Sequence, residues 1–201
     1  MAEENTNRQS LKTQLIQRVE ALSSQQAIFP EAEPNIDEII QKLEEINPTP
    51  QPLNLDNQAL ISGSWQLIYA SNGTVVTRQF ATIPDWIEIK IKQVYQILTA
   101  NNTGITTSNC AKIELPLLGE WKIEALGIWK CEEDKKTALV SFDAFGFQGT
   151  KPFNLSVNLP ELKIPVIEAL RNQAVWITSY LDEEIRVGRG KTGNLFLFRR
   201  E

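Results

Sequence analysis

The chain has 201 residues, the length of one ordinary domain, with 42% hydrophobic and 22% charged side chains, a globular and not a disordered composition. Twenty basic against 25 acidic residues leave a formal charge of −5, which argues against a nucleic-acid partner. Histidine is absent, and with it go the Ser-His-Asp triad, the Cys-His dyad and imidazole metal sites.

Neither Cys110 nor Cys131 sits in a CxxC pair, so no zinc ribbon or thioredoxin motif is expected, and no metal site. No stretch approaches the ~18 apolar residues of a membrane span. The opening MAEENTNRQS lacks the basic and apolar regions of a secretory signal and is acidic, unlike an Arg-rich transit peptide. The expectation is an intracellular protein with reduced thiols.

Acidity is concentrated at the start, where residues 1–60 carry ten acidic and four basic side chains. Leu11, Leu15, Val19 and Leu22 recur at helical spacing behind Ser10, a candidate N-cap. A second helix is expected in NIDEIIQKLEEINP, with Ile36, Ile39, Ile40, Leu43 and Ile46 on one stripe. There Asn35 and Glu38 form a candidate capping box, and Asn47-Pro48 end the helix. The proline-rich NPTPQPLN then reads as extended linker. The expected organisation is a helical segment over 1–47, a linker over 48–62 and a β domain over 63–201.

From Gly63 the periodicity changes to two. Ile87, Ile89 and Ile91 alternate with Glu88, Lys90 and Lys92; NNTG at 101–104 is a turn, and ITTSNCAKIEL returns from it. Trp121, Ile123, Ala125, Gly127, Trp129 and Cys131 share one strand face. CEEDKKT is a charged turn leading to TALVSFDAFGF, and NLSVNL is a further alternating run. QAVWITSYL and NLFLFRR close the chain, with RVGRGKTGN read as the turn between them. The one long candidate crossover segment, ELKIPVIEALRN, contains Pro165. Eight or nine short strands without crossover helices predict an antiparallel sandwich or barrel.

Several strands are apolar on both faces: in NLFLF, Leu195 and Leu197 point one way, Phe196 and Phe198 the other. One face fills or lines the barrel, and the two amphipathic helices are the available cover for the other. Ala125 and Gly127, and Ala144 and Gly146 beside Phe145 and Phe147, fit either an aromatic-walled cavity or tight packing.

Gly63-Ser64-Trp65 opens the first strand, and its tryptophan can plug the barrel's closed end. An arginine from the chain's end stacked across it would supply a cation–π contact; Arg186, Arg189 and Arg199 are the candidates. Together with LKTQLIQRVEAL, NIDEIIQKLEEINPTPQP and GSWQLIYAS, the run from Trp176 through Tyr180-Leu181-Asp182 to Ile185-Arg186-Val187-Gly188-Arg189-Gly190 and Gly193-Asn194-Leu195-Phe196 resembles the plastid lipid-associated proteins, or fibrillins. Tyr69-Ala70-Ser71 departs from that family's usual ending of the first strand.

The resemblance implies a lipocalin-like barrel, Gly63, Trp65, Asp182, Arg186 and Arg189 as its structural signature, and peripheral association with thylakoid membranes or lipid bodies of a plastid or cyanobacterium. It implies roles in photoprotection, lipid storage or prenylquinone metabolism. The expected function is a non-enzymatic carrier or structural protein for a prenylquinone, carotenoid, fatty acid or other lipid, with no obligatory cofactor. Tyr69, Trp129, Phe145, Phe147, Trp176 and Tyr180 are the candidate lipid-lining residues, with ordinary core as the alternative for each. The competing reading is a scaffold or activator with a filled barrel, docking a prenylquinone-synthesis enzyme or a photosynthetic complex.

Asp143, an acid among phenylalanines, is either a carboxylate of raised pKa in a site or an outward-facing strand residue; alternation favours the second. Asp182, Glu183 and Glu184 beside Arg186 and Arg189 form either a polar gate or, preferred here, an ion-pair and turn network. Cys131, next to Glu132 and Glu133, reads as structural.

Overall fold

The apolar stripe of the first helix has somewhere to go. In the computed structural model, which describes residues 2–28, 34–71, 89–101, 104–166 and 173–201, α1 (Ala2–Glu20) and α3 (Pro34–Glu45) pack together on the outside of a β barrel. A short α2 (Ser24–Ile28) follows the first helix. Acidic Glu3 and Glu4 in the first turn of α1, and Arg18 in its last, suit the helix dipole. Leu15, Val19, Ile36, Ile39, Ile40 and Leu43 form one cluster with Tyr69, Tyr180, Ile185, Val187, Leu195 and Leu197. Each such side chain contributes about 1.5–3 kcal/mol on full burial. This is the second apolar strand face, covered as the helical stripes require.

Among the described residues nine strands form one antiparallel sheet. They are β1 (Gly63–Ala70), β2 (Lys90–Asn101), β3 (Gly104–Leu115), β4 (Gly119–Cys131), β5 (Thr137–Pro152), β6 (Leu162–Pro165), β7 (Ala174–Leu181), β8 (Ile185–Gly190) and β9 (Leu195–Arg200). The order β4-β3-β2-β1-β9-β8-β7-β5-β6 is closed by a further β4–β5 pairing, so eight strands make the ring and β6 lies outside it against β5. The ring has unequal walls. Strands β2 to β5 run 12 to 16 residues, whereas β1, β7, β8 and β9 run six to eight. The long wall therefore projects past the short one at the end marked by the β3–β4 turn. The opposite end is closed by a 3-10 turn (Leu55–Asn57) and α4 (Gln58–Ile61), both within the proline-rich linker.

Several sequence expectations change: Ser10 lies inside α1, which begins at Ala2, and does not cap it, and Asn35 lies inside α3, which begins at Pro34. RVGRGKTGN is not one turn: Ile185–Gly190 is strand β8, and the turn is confined to the residues between it and β9. Gly188 is there for close approach and not for turning, since a Cβ on it would lie 1.9 Å from the Trp176 ring. NLSVNL is not a strand. Its Leu155, Val157 and Leu159 are all exposed, and Leu159 N–H reaches the Gly149 carbonyl from outside the ladder. The strand in that region is Leu162–Pro165, the start of ELKIPVIEALRN, whose residues 167–172 lie outside the described residues. Ile87, Glu88 and the middle of NNTG also lie outside them.

Candidate functional site

The closed end is built around Trp65. Its indole N–H donates to the Ile61 carbonyl (2.9 Å), and the Arg200 guanidinium lies 4.2 Å from its ring centroid. Arg200 also donates to the carbonyls of Leu60, Ser62 (2.9 Å) and Glu183 (2.8 Å), tying α4 and the β7–β8 turn to the last strand. Gly63 has φ +131°, and a Cβ there would meet Arg200 Nη1 at 2.8 Å. The arginine over Trp65 at closest range is thus Arg200, which the sequence reading did not consider. Arg199 points outward to Glu20 (3.1 Å), and Arg189 grips Glu44 of α3 through two nitrogens (Nε to Oε1, 2.7 Å). Only Arg186 of the three candidates faces the lumen. The signal was available: Phe196, Phe198 and Arg200 share one strand face.

Deeper in the barrel the Arg186 side chain is wholly buried. Its guanidinium carbon lies 4.3 Å from the Phe198 ring centroid, 5.3 Å from Trp65, 5.9 Å from Trp129 and 6.0 Å from Trp176. Nη2 donates to Gln96 Oε1; the Gln96 amide donates to Asn109 Oδ1, which also accepts from Thr107 Oγ1 (3.1 Å). Burial, and then the neighbouring positive Arg200, push the guanidinium down to about 9, so it stays a cation at neutral pH. Trp65 and Trp129 are also fully buried, and Trp176 packs on Phe196 with centroids 5.2 Å apart. The deep lumen is occupied by the protein's own aromatics. Gly127 serves that packing, since a Cβ there would meet the Ser141 carbonyl at 2.3 Å; Gly146 turns its face toward Glu161, away from the lumen.

Of the candidate lipid-lining residues, Trp129 and Trp176 face the lumen. Tyr69 and Tyr180 do not, so two of the six expected lining residues belong to the core under the helices. The β1–β9 ladder slips between Leu67 and Tyr69, and the β7–β8 ladder between Thr178 and Tyr180. Each bulge adds one residue and reverses the faces beyond it. Both tyrosines therefore lie under the helices: Tyr69 donates to Asp37 of α3 (2.9 Å), and Tyr180 to Asp182 (2.8 Å). Asn47 braces the second bulge, donating to the Ser179 carbonyl (3.0 Å) and accepting from Leu181 N–H (3.2 Å).

Asp182 organises the β7–β8 turn. Oδ1 accepts from the N–H groups of Glu184 and Ile185 (both 2.8 Å), while Oδ2 pairs with Lys12 of α1 (2.9 Å). Lys12 is 6% exposed and also pairs with Glu184 (2.8 Å). Burial raises the Asp182 carboxyl, but the Ile185 N–H and the Lys12 ammonium outweigh it and hold the group below its usual value. Burial likewise opposes the Lys12 charge, yet its two acidic partners leave the ammonium above the usual lysine value. The Asp182 cluster is accordingly a structural anchor for α1.

Phe145 and Phe147 lie on the lumen-side face of β5 but beyond the closed part of the ring, opposite Ala125 and Ile123, and are 40% and 37% exposed. Phe142, packed on Phe145 with centroids 6.5 Å apart, joins them to the lumen. Past them the long wall ends in an apolar tip. Leu117 is 90% and Phe153 64% exposed, with Leu118, Leu155 and Val157 exposed around them. The Phe153 N–H bonds the Leu118 carbonyl (3.0 Å), holding the two turns together. Leu117 (φ 64°) and Phe153 (φ 52°) both have left-handed backbones, which cost bulky residues roughly 1–2 kcal/mol each. Strain and exposure of large apolar groups coincide here, and the sequence carries no period that marks it.

A groove of about 260 Å³ lies between the α1–α2 corner and the β1–β2 edge. The β1–β2 ladder ends at Gln66–Tyr95 although both strands continue. Through that gap the groove is lined by Leu67, whose backbone pairs with Phe198, and by Val94, as well as by Val19, Leu22, Ala27 and Ile28 from the helical side.

On the outer face of the long wall, Glu124 accepts from Ser108 and pairs with Lys122 (3.0 Å). Burial disfavours its charge, but these partners bring the carboxyl down to about 2. Burial pushes up both the Cys110 and Cys131 thiols, and both are free, which makes them packing groups and not nucleophiles. Asp143 is the extra residue of a β4–β5 bulge, half-exposed, with its carbonyl bonded to Val166 N–H (2.7 Å).

Among the described residues no helix is long and apolar enough to cross a membrane, and no cluster of acids and cysteines could hold a metal ion. Residues 9–199 match the family model PAP_fibrillin. The chain is 25% identical to "Probable plastid-lipid-associated protein 5, chloroplastic" of Arabidopsis thaliana, over 96% of this chain and 70% of that protein. It is 24% identical to "Chromoplast-specific carotenoid-associated protein, chromoplastic" of Cucumis sativus, over 82% of this chain and 59% of that one. For "Probable plastid-lipid-associated protein 3, chloroplastic" of Arabidopsis thaliana the identity is 26%, over 82% and 50%. No solved structure matches.

Proposed function

Because the chain belongs to the PAP/fibrillin family, we propose that it is a non-enzymatic, lipid-associated protein that meets lipid through the open end of its barrel. The observation that carries this reading is the strained apolar tip around Leu117 and Phe153, continuous in fold with the exposed Phe145 and Phe147. A surface of this kind gains free energy on leaving water, at about 25 cal/mol per Å². The relatives carry plastid-lipid and carotenoid association in their names, which favours a thylakoid-type membrane or a lipid body as the surface. A prenylquinone, carotenoid or fatty acid is the corresponding small-molecule guest, and photoprotection the corresponding physiological setting. Attachment is peripheral.

Flotation with galactolipid vesicles and with triacylglycerol droplets tests the reading. Co-migration with either is expected. A protein that stays in the aqueous fraction with both, at low and high salt, is not a lipid-surface protein.

A second reading is favoured by the packed deep lumen: a scaffold or activator whose exposed apolar face receives a protein of prenylquinone synthesis or of a photosynthetic complex. It predicts no vesicle binding and a defined complex with a purified partner, lost on substitution at Phe145 and Phe147.

A further inference from the structure

Arg186 is a fully buried cation, and no ion pair joins it to a carboxylate among the described residues. Its Nε and Nη1 have no hydrogen-bond partner, and neither do three other buried polar atoms: Trp129 Nε1, Trp176 Nε1 and Thr178 Oγ1. The second cation of the barrel, Arg200, adds repulsion. A buried charge without a counter-charge costs several kcal/mol, and aromatic faces recover only part of that. A guanidinium with two free donors is suited to an oxygen pair.

A groove lies against the barrel wall next to the deep lumen. Leu67 pairs with Phe198, the ring that lies 4.3 Å from the Arg186 guanidinium, and Leu67 lines the groove at the β1–β2 gap. Val94 lines the same groove from β2, two residues from the Arg186 partner Gln96. The groove's volume of about 260 Å³ falls just below the ~300–1,000 Å³ of ordinary small-molecule sites. Its seven apolar lining residues can take a hydrocarbon chain, beside the polar Glu20, Gln66, Lys92, Gln93 and Arg199.

We propose that the lumen seats the carboxylate of a long-chain apolar acid on Arg186, with the chain leaving between β1 and β2 into the groove under the α1–α2 corner. Trp176, packed against Gly188, moves to make room for the head group. The proposal rests on the reading that the protein takes a hydrophobic guest; its own content is the acid head group and the route.

The test compares hexadecanoic acid, hexadecanol and methyl hexadecanoate on the full chain, by tryptophan emission titration and native mass spectrometry. The acid is expected to bind at least tenfold tighter than either neutral analogue. Arg186→Met is expected to keep a cooperative melt with Tm unchanged or raised, because an uncompensated charge has been removed, and to lose the tenfold preference. Leu67→Trp, which fills the groove, is expected to weaken all three. Equal binding of acid and alcohol by the unsubstituted protein overturns the carboxylate seat and leaves the hydrophobic-guest reading standing. No binding of any of the three overturns the carboxylate seat and the chain route; the hydrophobic-guest reading falls with it only when a prenylquinone and a carotenoid, titrated in the same way, also fail to bind.

Discussion

Arg200 and Trp65 face each other across the closed end of the barrel, the guanidinium 4.2 Å from the indole centroid, and between them they join the last strand to the first. The same guanidinium donates to three carbonyls of α4 and the β7–β8 turn. Arg200→Ala removes the stacking and leaves carbonyls of Leu60 and Ser62 without their donor. A loss of about 2–3 kcal/mol is expected by urea denaturation, with Arg200→Lys recovering only a minor part, because an ammonium cannot serve three carbonyls and stack at once.

The Lys12–Asp182 pair fixes α1 to the barrel and titrates at both ends of the pH scale. Asp182 has a depressed folded value, so its contribution is complete above the ordinary aspartate value of 3.8 and fades as pH falls through the lower folded one. Lys12 has a raised folded value, so its contribution is complete below 10.5 and fades as pH rises beyond it. Lys12→Met is expected to cost about 2–3 kcal/mol at neutral pH, and to flatten the stability profile near both limits, read as Tm against pH.

The β1 bulge is expected to tolerate deletion of its extra residue. Deleting Ile68 leaves Tyr69 directly after Leu67 and therefore still on the helix face, opposite Leu197, so only the contacts of the Ile68 side chain with the helical cluster are lost. A loss of about 1–2 kcal/mol is expected, roughly what one partly buried aliphatic side chain contributes. Tyr69→Phe, which removes only the bond to Asp37, is expected to cost about 1 kcal/mol. A loss of about 4 kcal/mol or more on deleting Ile68, measured by chemical denaturation, would mean that Tyr69 had left the helix face and would contradict the assignment of Ile68 as the extra residue.

Leu117→Asn and Phe153→Asn place a residue that tolerates left-handed backbone where an apolar one now sits. Stability is expected to rise by about 0.5–1 kcal/mol per site, while vesicle flotation falls several-fold. Opposite movement of the two readouts is the signature of strain kept for binding. A fall in both would assign these residues to folding alone.

Much of this architecture was legible beforehand. Two helices with apolar stripes, a run of alternating segments and strands apolar on both faces fit a closed sheet with a helical cover, which buries both faces of Leu195–Phe198. Local chemistry sufficed for Asn47 as a helix stop and Gly63-x-Trp65 as the start of a first strand; Asp182 does accept in its turn, but its ion-pair partner is Lys12 of α1 and not the neighbouring Arg186 or Arg189.

What the tertiary structure alone decided are matters of one-residue register and of remote approach. Because Ile68 and Ser179 are bulged out of the pairing, two tyrosines that a plain period of two turns into the lumen lie at the helix interface, and a bulge leaves no mark in a period-two pattern. Gly188 resembles a turn residue until Trp176 is seen to occupy the space of its missing Cβ. Arg200 outranks three other arginines at Trp65, and Arg186 is left buried with two unused donors, because strand pairing brings together groups more than a hundred residues apart. Periodicity specifies which faces are greasy; only closure of the ring specifies which side chains meet inside it.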